Sequence, residues 1–412
     1  MTATPLPSIA VEDVPIDDLR PDPANPRRIS DDELEALTRS LRSFGFVQSV
    51  LARREDRTVI GGHQRLVAAR RIGLTTVPVI WLDVSADQAS LLGLALNRIS
   101  GTWDDQLLAR LLSELGETPG TDLSLTGFGE EEIRDFLRSL AAREHRDRPE
   151  SFDLDAALEE AARAPRVARG EVWKLGDHRL VCGDATRPED VAAVLGGRQA
   201  DLAFTDPPYG VAYDGGPVPS RRRRLKAIAN DALDPAAWEQ FCRSWARTLL
   251  AAVDGTIYVC MSAKEWPTVA RVLIEEGGHW SDTIIWAKDR FTLGRADYQR
   301  GYEPIWYGWR EGVSHHWCGD RDQNNVWTIA RPSESPLHST MKPLPLMERA
   351  IENSSRPGAL VLDPFAGSGS TLIAAERTGR VCAAVELDPR YGDVILARWE
   401  AFTGDRAERV DG

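Results

Sequence analysis

Two stretches of this 412-residue chain carry side chains that can do chemistry together. The first is LAFTDPPYGVAY, Leu202 to Tyr213, in which Asp206, Pro207, Pro208 and Tyr209 directly follow an apolar run. The run predicts a buried strand, and the prolines stop it because proline cannot donate to a ladder. A carboxylate and an aromatic ring would then stand at a strand's carboxyl end, where open α/β sheets bind ligands. A proline-fixed turn with a packed tyrosine accounts for the same residues, so this stretch alone leaves both readings open.

The second stretch is ALVLDPFAGSGSTLIAAERTGRVCAAVELDPRYGDVILARW. Ala359 to Leu362 reads as a buried strand, Gly367 and Gly369 permit a tight turn, and Ser370 and Thr371 open a helix whose amides point back at the loop. A second strand, Val381 to Val385, ends at Glu386, about 20 residues beyond the glycines, where a carboxylate can bind both hydroxyls of a ribose. A phosphate-cradling loop needs lysine beside the Ser/Thr, and a dinucleotide loop needs a third glycine where Leu372 stands. Neither is present. The loop instead begins with Asp363, badly placed for a pyrophosphate and well placed for a cation. S-Adenosyl-L-methionine has a ribose, an ammonium group and a sulfonium but no phosphate, and it fits these residues better.

The elements that must position these residues follow from periodicity. From EVWKLGDHRLVCGDA to the C-terminus strands and helices alternate, predicting an α/β domain over residues 171–412 with a mostly parallel sheet and crossover helices. Residues 9–100 read as a small α+β unit. Its expected elements are a strand and a proline-stiffened loop (VPIDDLRPDPANPRRI), a helix capped by Ser30 and stopped by Gly45, strands in VQSVLARRE and RTVIGG, a helix in HQRLVAARRIGL and a strand in TTVPVIWLD. Residues 101–140 continue as a helical extension, and the Ala-, Arg- and Glu-rich stretch 141–170 reads as a partly helical linker.

Composition bounds the rest. A 42% hydrophobic and 27% charged chain of this length is globular, with room for two or three cores. It has no apolar run of about 18 residues and no basic leader, so a cytoplasmic protein without a membrane span is expected. Its five cysteines, Cys182, Cys242, Cys260, Cys318 and Cys382, form no CxxC pair and suggest reduced thiols. His315, His316 and Cys318 have no second ligand pair at a fitting spacing, so no metal is expected. The net charge of -13 speaks against a whole-surface nucleic-acid binder but leaves room for a local basic groove. Arg221, Arg222, Arg223, Arg224 and Lys226 offer one: the run is either a solvated loop or, lying a dozen residues after Tyr209, a phosphate contact.

TDPPYG, HSTMKP (His338 to Pro343) and DPFAGSGST (Asp363 to Thr371), in that order, resemble the amino-group DNA methyltransferases of the beta class, over roughly residues 171 to 405. The resemblance implies a Rossmann-like methyltransferase sheet in circularly permuted motif order, with S-adenosyl-L-methionine as cofactor and double-stranded DNA as partner. A homodimer and a companion restriction endonuclease are left open. By the resemblance, Asp363, Pro364, Phe365, Gly367, Gly369, Ser370 and Thr371 form the methionine-end loop, and Glu386 is the ribose acid. Asp184 and Ala185 flank the adenine, and His338, Thr340 and Lys342 close over the cofactor. Ser339 and Met341 depart from the family's usual Pro and Gln. Asp206 and the Pro207 carbonyl would accept hydrogen bonds from the target amine, with Pro208 holding the turn and Tyr209 stacking on a flipped base. Methylation at carbon 5 of cytosine would need a cysteine, in that family usually after proline, and no cysteine here follows one. An initial aspartate in the tetrapeptide accompanies adenine N6 in the family; cytosine N4 is the alternative. The rival from another class is a DNA-binding partition or regulatory protein with a vestigial methyltransferase domain.

ANPRRI followed by VIGGHQRLVAARRIGLTTVPVI resembles the ParB/sulfiredoxin-like domain of partition proteins, over about residues 9 to 95. That implies phosphate or DNA contacts by Arg27, Gly61, Gly62, His63 and Arg65, although the family's acidic residue and second arginine are not at this turn. A glycine turn whose arginine pairs with a carboxylate is the alternative.

Overall fold

The computed structural model describes residues 10–410 apart from 29–30, 98–101, 104, 127, 147, 149, 151, 211–228, 293–296 and 331–341. The chain divides into two units, one ending at Leu140 and the other beginning at Ala141. Elements up to the boundary run β1 (Val11–Pro15), β2 (Arg27–Arg28), α1 (Asp31–Phe44), β3 (Val50–Arg53), β4 (Val59–Gly61), α2 (His63–Arg71), β5 (Thr76–Leu82), α3 (Ala86–Asn97), β6 (Thr102–Trp103), α4 (Asp105–Glu117) and α5 (Glu130–Arg146). The sheet order is β1-β5-β3-β4. β3 and β5 are parallel because α2 crosses between them, whereas β3 and β4 meet antiparallel across a short turn. Val77 and Val79 on β5, Val50 and Ala52 on β3, and Leu66 and Ala69 on α2 share one apolar core. Gly45, with φ +70°, takes the left-handed conformation that ends α1. The expected cap Ser30 lies outside the described residues.

The second unit continues with α6 (Leu154–Arg163), β7 (Val172–Leu175), β8 (His178–Cys182), α7 (Pro188–Leu195), β9 (Ala200–Thr205), α8 (Pro235–Ala252), β10 (Val253–Cys260), α9 (Trp266–Glu275), β11 (Gly278–Thr292), β12 (Arg300–Arg310), β13 (Val326–Thr328), α10 (Leu344–Ser354), β14 (Leu360–Asp363), α11 (Ser370–Thr378), β15 (Val381–Glu386), α12 (Pro389–Thr403) and β16 (Glu408–Val410). Among the described residues its sheet is 10-stranded, ordered β13-β11-β12-β10-β9-β14-β15-β8-β7-β16. The expectation of a mostly parallel sheet is corrected to a mixed one. β10–β9, β9–β14, β14–β15, β15–β8 and β11–β13 pair parallel, while β10–β12, β12–β11, β8–β7 and β7–β16 pair antiparallel. The reason is connection length: a parallel pair needs a crossover, and β7–β8 is joined by Gly176–Asp177 alone, with Gly176 at φ +58°.

The central strands are apolar on both faces because helices cover both. Ala203, Leu362 and Val385 face a cluster with Trp245 of α8 and Leu273 of α9, while Phe204 and Val361 face Met347 and Ile351 of α10. Within the linker stretch, α6 is capped by Asp153 and buries Leu154 and Leu158 against Val394 of α12. Among the described residues no helix is long and apolar enough to cross a membrane.

Candidate active site

β9 and β14 bring the two chemical stretches together. Their parallel register pairs Leu202 with Val361 and Ala203 with Leu362, so both strands end at one rim. There the Thr205 hydroxyl donates to Asp363 Oδ1 at 2.9 Å, and Asp206 is the next residue. Beyond Asp206 the prolines end the ladder, and the Tyr209 amide donates to Asp231 Oδ1 at 2.9 Å. Gly210 follows at φ +63°, where a Cβ would lie 2.9 Å from the Trp238 ring, so only glycine lets the chain pass.

The Asp206 carboxylate is held from two sides. Tyr209 donates its hydroxyl to Oδ1 at 2.7 Å, and Lys342 donates its ammonium to Oδ2 at 2.6 Å. Lys342 also donates to the Tyr209 oxygen at 2.9 Å and stands 3.3 Å from Glu303 Oε2. Lys288 on β11 forms an ion pair with the other Glu303 oxygen. Burial alone would raise Glu303; Lys342 and Lys288 hold it down to about 2. Burial pushes the Tyr209 phenol well above its ordinary value, with Asp206 and Glu303 adding to the shift, so it stays a donor.

The glycine loop is built around two buried acids. Glu386 accepts the Gly367 amide on Oε2 and the Asp388 amide on Oε1, each at 2.8 Å. Burial raises its carboxyl to about 7 against those bonds. Asp363 also accepts the Phe365 amide at 3.1 Å, and burial lifts it to about 6 despite hydrogen bonds from Thr371, Phe365 and Thr205. Gly367 and Gly369 have φ of +53° and +81°. A Cβ on Gly369 would approach Ile395 to 3.1 Å, whereas one on Gly367 would meet nothing within 4 Å, so the loop's rim borders open space. Pro364 is buried, and Phe365 packs edge-on to Phe241 and Trp245. The Ser370 hydroxyl accepts from buried Arg398 at 3.0 Å, and the Thr371 hydroxyl, beside Asp363, also lies 3.5 Å from Met347 Sδ.

Asp184 and Ala185 follow β8, tied to the loop's strand by the Gly183 amide donating to the Glu386 carbonyl at 3.0 Å. Ala185 is buried, and Asp184 Oδ1 accepts from the amide and hydroxyl of Thr186 at 2.9 and 2.7 Å. Lys342, expected over the cofactor, instead directs its ammonium at Asp206. Sequence reasoning missed Glu303 and Lys288. Their only local signal is a charge in each of two aromatic-rich strands. His338, Thr340 and the basic residues Arg221, Arg222, Arg223, Arg224 and Lys226 lie outside the described residues.

In the first unit Gly61 ends β4, and Gly62, at φ +102°, starts α2. His63 Nε2 accepts the Asp22 amide at 3.2 Å, and burial lowers the imidazole's pKa. His63 borders a cavity of about 140 Å³ with Asp22, Asn25, Arg53 and Asp56. Arg65 donates to the carbonyls of Gln48 and Ser49, both at 2.9 Å. Arg27 pairs its backbone with Trp103. Among the described residues no group of three or more His, Cys, Asp or Glu is arranged to hold a metal ion.

With this geometry in hand, the chain's class follows from three matches. Residues 200–397 match the N6/N4 DNA methylase family, residues 2–97 the ParB N-terminal domain and residues 106–169 the ParB-methyltransferase HTH domain. The chain carries an amino-directed DNA methyltransferase domain behind a ParB N-terminal domain and a helix-turn-helix domain. Both the methylase and helix-turn-helix domains imply DNA as partner. That helix-turn-helix match falls within the helical extension and linker, a domain their helical periodicity did not reveal. Among individual proteins, the chain is 27% identical over 233 residues to the type II methyltransferase M2.DpnII of Streptococcus pneumoniae, covering 49% of this chain and 82% of that one. M2.MboI of Moraxella bovis is 26% identical over 225 residues, covering 49% and 81%. Of solved structures, M1.HpyAVI in complex with SAM aligns at 22% identity and TM-score 0.40, covering 53% of this chain and 98% of that one. The cytosine-N4-specific PvuII methyltransferase aligns at 14% identity and TM-score 0.43, covering 58% and 98%.

Proposed function

We propose that this DNA amino-methyltransferase moves a methyl group from S-adenosyl-L-methionine to adenine N6 of a base flipped out of duplex DNA. The observation that carries the reading is the β9–β14 junction, where Thr205 bonds Asp363 and so brings the glycine loop beside the Asp206 carboxylate. The catalytic strand end precedes the donor loop in the chain, which is the permuted order of the beta class.

The loop suits the cofactor. Glu386 spends one acceptor position of each oxygen on a backbone amide and keeps others for ribose hydroxyls. Gly367 borders open space, and Asp363 supplies negative charge on the side where an ammonium group would lie. Phe365, Gly369, Asp184 and Ala185 would line the same crevice. Ser370 and Thr371, whose hydroxyls are engaged internally, would act through their backbone at the start of α11. When bound, S-adenosyl-L-methionine supplies an electrophilic methyl on sulfonium.

The exocyclic amine of adenine is a poor nucleophile because its lone pair is delocalised into the ring. Asp206 retains acceptor capacity on both oxygens and, with the Pro207 carbonyl, would take hydrogen bonds from the amine's two N–H groups. That would draw the nitrogen toward tetrahedral geometry and free its lone pair to bond the methyl carbon as the carbon–sulfur bond breaks, with the amine shedding one proton to solvent, a catalysis of positioning and electrostatics. Tyr209, its hydroxyl on Asp206 and its ring partly packed against the core with the Lys342 ammonium 5.1 Å away, would stack on the flipped base with the ring's remaining surface.

The test is incubation of purified protein with duplex DNA and S-adenosyl-L-methionine carrying a deuterated methyl, followed by nucleoside mass spectrometry. Deuterated N6-methyladenine is expected. N4-methylcytosine would move the target to cytosine, and cofactor binding without methylation of any DNA would favour the vestigial-domain reading.

A further inference from the structure

Lys342 stands just before α10, on a loop rather than in a strand, so its backbone does little to aim the ammonium at Asp206. What faces it is fixed. Glu303 lies on β12 opposite Trp286 of β11, and Lys288 is two residues further along β11 on the same face, so the Lys288–Glu303 ion pair is a diagonal cross-strand pair. Lys288 is anchored again by the Trp286 ring, 4.8 Å from its ammonium. The four groups carry two positive and two negative charges, and their side chains are 6% (Lys288), 19% (Glu303), 10% (Lys342) and 28% (Asp206) exposed, so Asp206 is the most open of the four.

We propose that Glu303 and Lys288 are positioning residues for methyl transfer: the rigid β11–β12 pair uses them as a charged post that holds Lys342, and through it the Asp206 carboxylate, in the geometry that receives the amine. The inference rests on the methyltransferase reading above. In this reading Glu303 meets neither base nor donor and acts by giving Lys342 a second anionic partner, 3.3 Å away; its Oε2 also accepts from the Tyr209 hydroxyl at 3.1 Å. Without that charge, Lys288 and Lys342 face each other across a neutral group and repel, and Lys342 moves off its line to Asp206. The flanking lysines keep Glu303 ionised far below neutral pH, so the post stays charged throughout the working range.

Glu303→Gln keeps the side chain's shape and removes its charge. Single-turnover methylation by this variant should fall roughly 100-fold, the scale of an approximately 1 Å misplacement, while the cofactor and DNA dissociation constants stay near wild type. The decisive comparison is a double-mutant cycle with Lys342→Met. A residue that works only through Lys342 loses its effect once Lys342 is gone, so Glu303→Gln should add almost nothing in that background. Additive losses, or a wild-type rate in Glu303→Gln, would overturn the inference. If Glu303→Gln does not fold, Lys288→Met is run through the same cycle: no added loss beside Lys342→Met supports the inference, and additive losses overturn it. Failure of the wild-type protein to methylate any DNA would instead sink the underlying reading.

Discussion

Exchanging Glu386 for glutamine removes one charge from the glycine loop, and the structure sets the size and pH dependence of the loss. In the free protein burial raises the Glu386 carboxyl to about 7, above its ordinary value, against hydrogen bonds from the Asp388 and Gly367 amides. Ribose hydroxyls favour the ionised form and return the bound carboxyl toward about 4.3. Below about pH 7, then, binding must first expel a proton. Wild-type affinity should weaken about tenfold between about pH 8 and about pH 6, or about 1.4 kcal/mol. Folding carries the opposite sign: a carboxyl raised on folding stabilises fully below its unfolded value, and loses about 3 kcal/mol as pH climbs through about 7. Glu386→Gln should weaken binding at about pH 8 by about 1.5–3 kcal/mol, the contribution of a charged acceptor. It should also remove the part of the pH slope that belongs to Glu386. Calorimetric titration of both proteins measures this, and the cofactor's own titration cancels in the ratio of their constants. Because the amide oxygen can accept both backbone N–H groups only poorly, thermal unfolding is followed alongside. Equal constants at about pH 8, or equal pH slopes in both proteins, would refute the assignment of Glu386 to the ribose.

Two further variants carry separate predictions. Changing Arg221, Arg222, Arg223 and Arg224 together to alanine should flatten the dependence of log affinity on log salt by about 0.9 per lost phosphate contact and leave site preference intact; an unaltered slope would make the run a solvated loop. Buried Arg398 donates to the Ser368 carbonyl at 2.9 Å and the Ser370 hydroxyl at 3.0 Å while paired with Glu150, so it ties the segment before β7 to the glycine loop. Glu150→Gln leaves that guanidinium short of its counter-charge and should cost about 3 kcal/mol and lower the melting temperature, read by calorimetry; an unchanged transition would mean that the pair carries no stability.

What could be read from the sequence is what is encoded locally. The apolar run into Asp206–Pro207 and the glycines between Asp363 and Ser370 are each a strand, a stop and a turn, and those signals survive without tertiary context. Their adjacency was legible only through the resemblance, because it depends on β9 and β14 pairing across 158 residues. Lys288 and Glu303 carried no such signal: each is an ordinary charge until strand pairing and burial set them beside Lys342, which the sequence singled out only through the HSTMKP resemblance. The parallel centre of the sheet follows from alternating strands and helices, but its antiparallel β7–β8 pair depends on a connection too short for a crossover, Gly176–Asp177. Composition over 141–170 suggested a linker because alanine and arginine are abundant there; Leu154 and Leu158 become core residues only when α12 presents Val394 to them.

The central claim is that Asp206 works on the target amine while the glycine loop holds the donor. Wild-type and Asp206→Ala proteins, each assayed for cofactor affinity and for methyl groups delivered to duplex DNA, test it most directly. The variant should bind S-adenosyl-L-methionine within about threefold of wild type, a difference below about 0.7 kcal/mol, and deliver no methyl group. Turnover near the wild-type rate by Asp206→Ala would contradict the account.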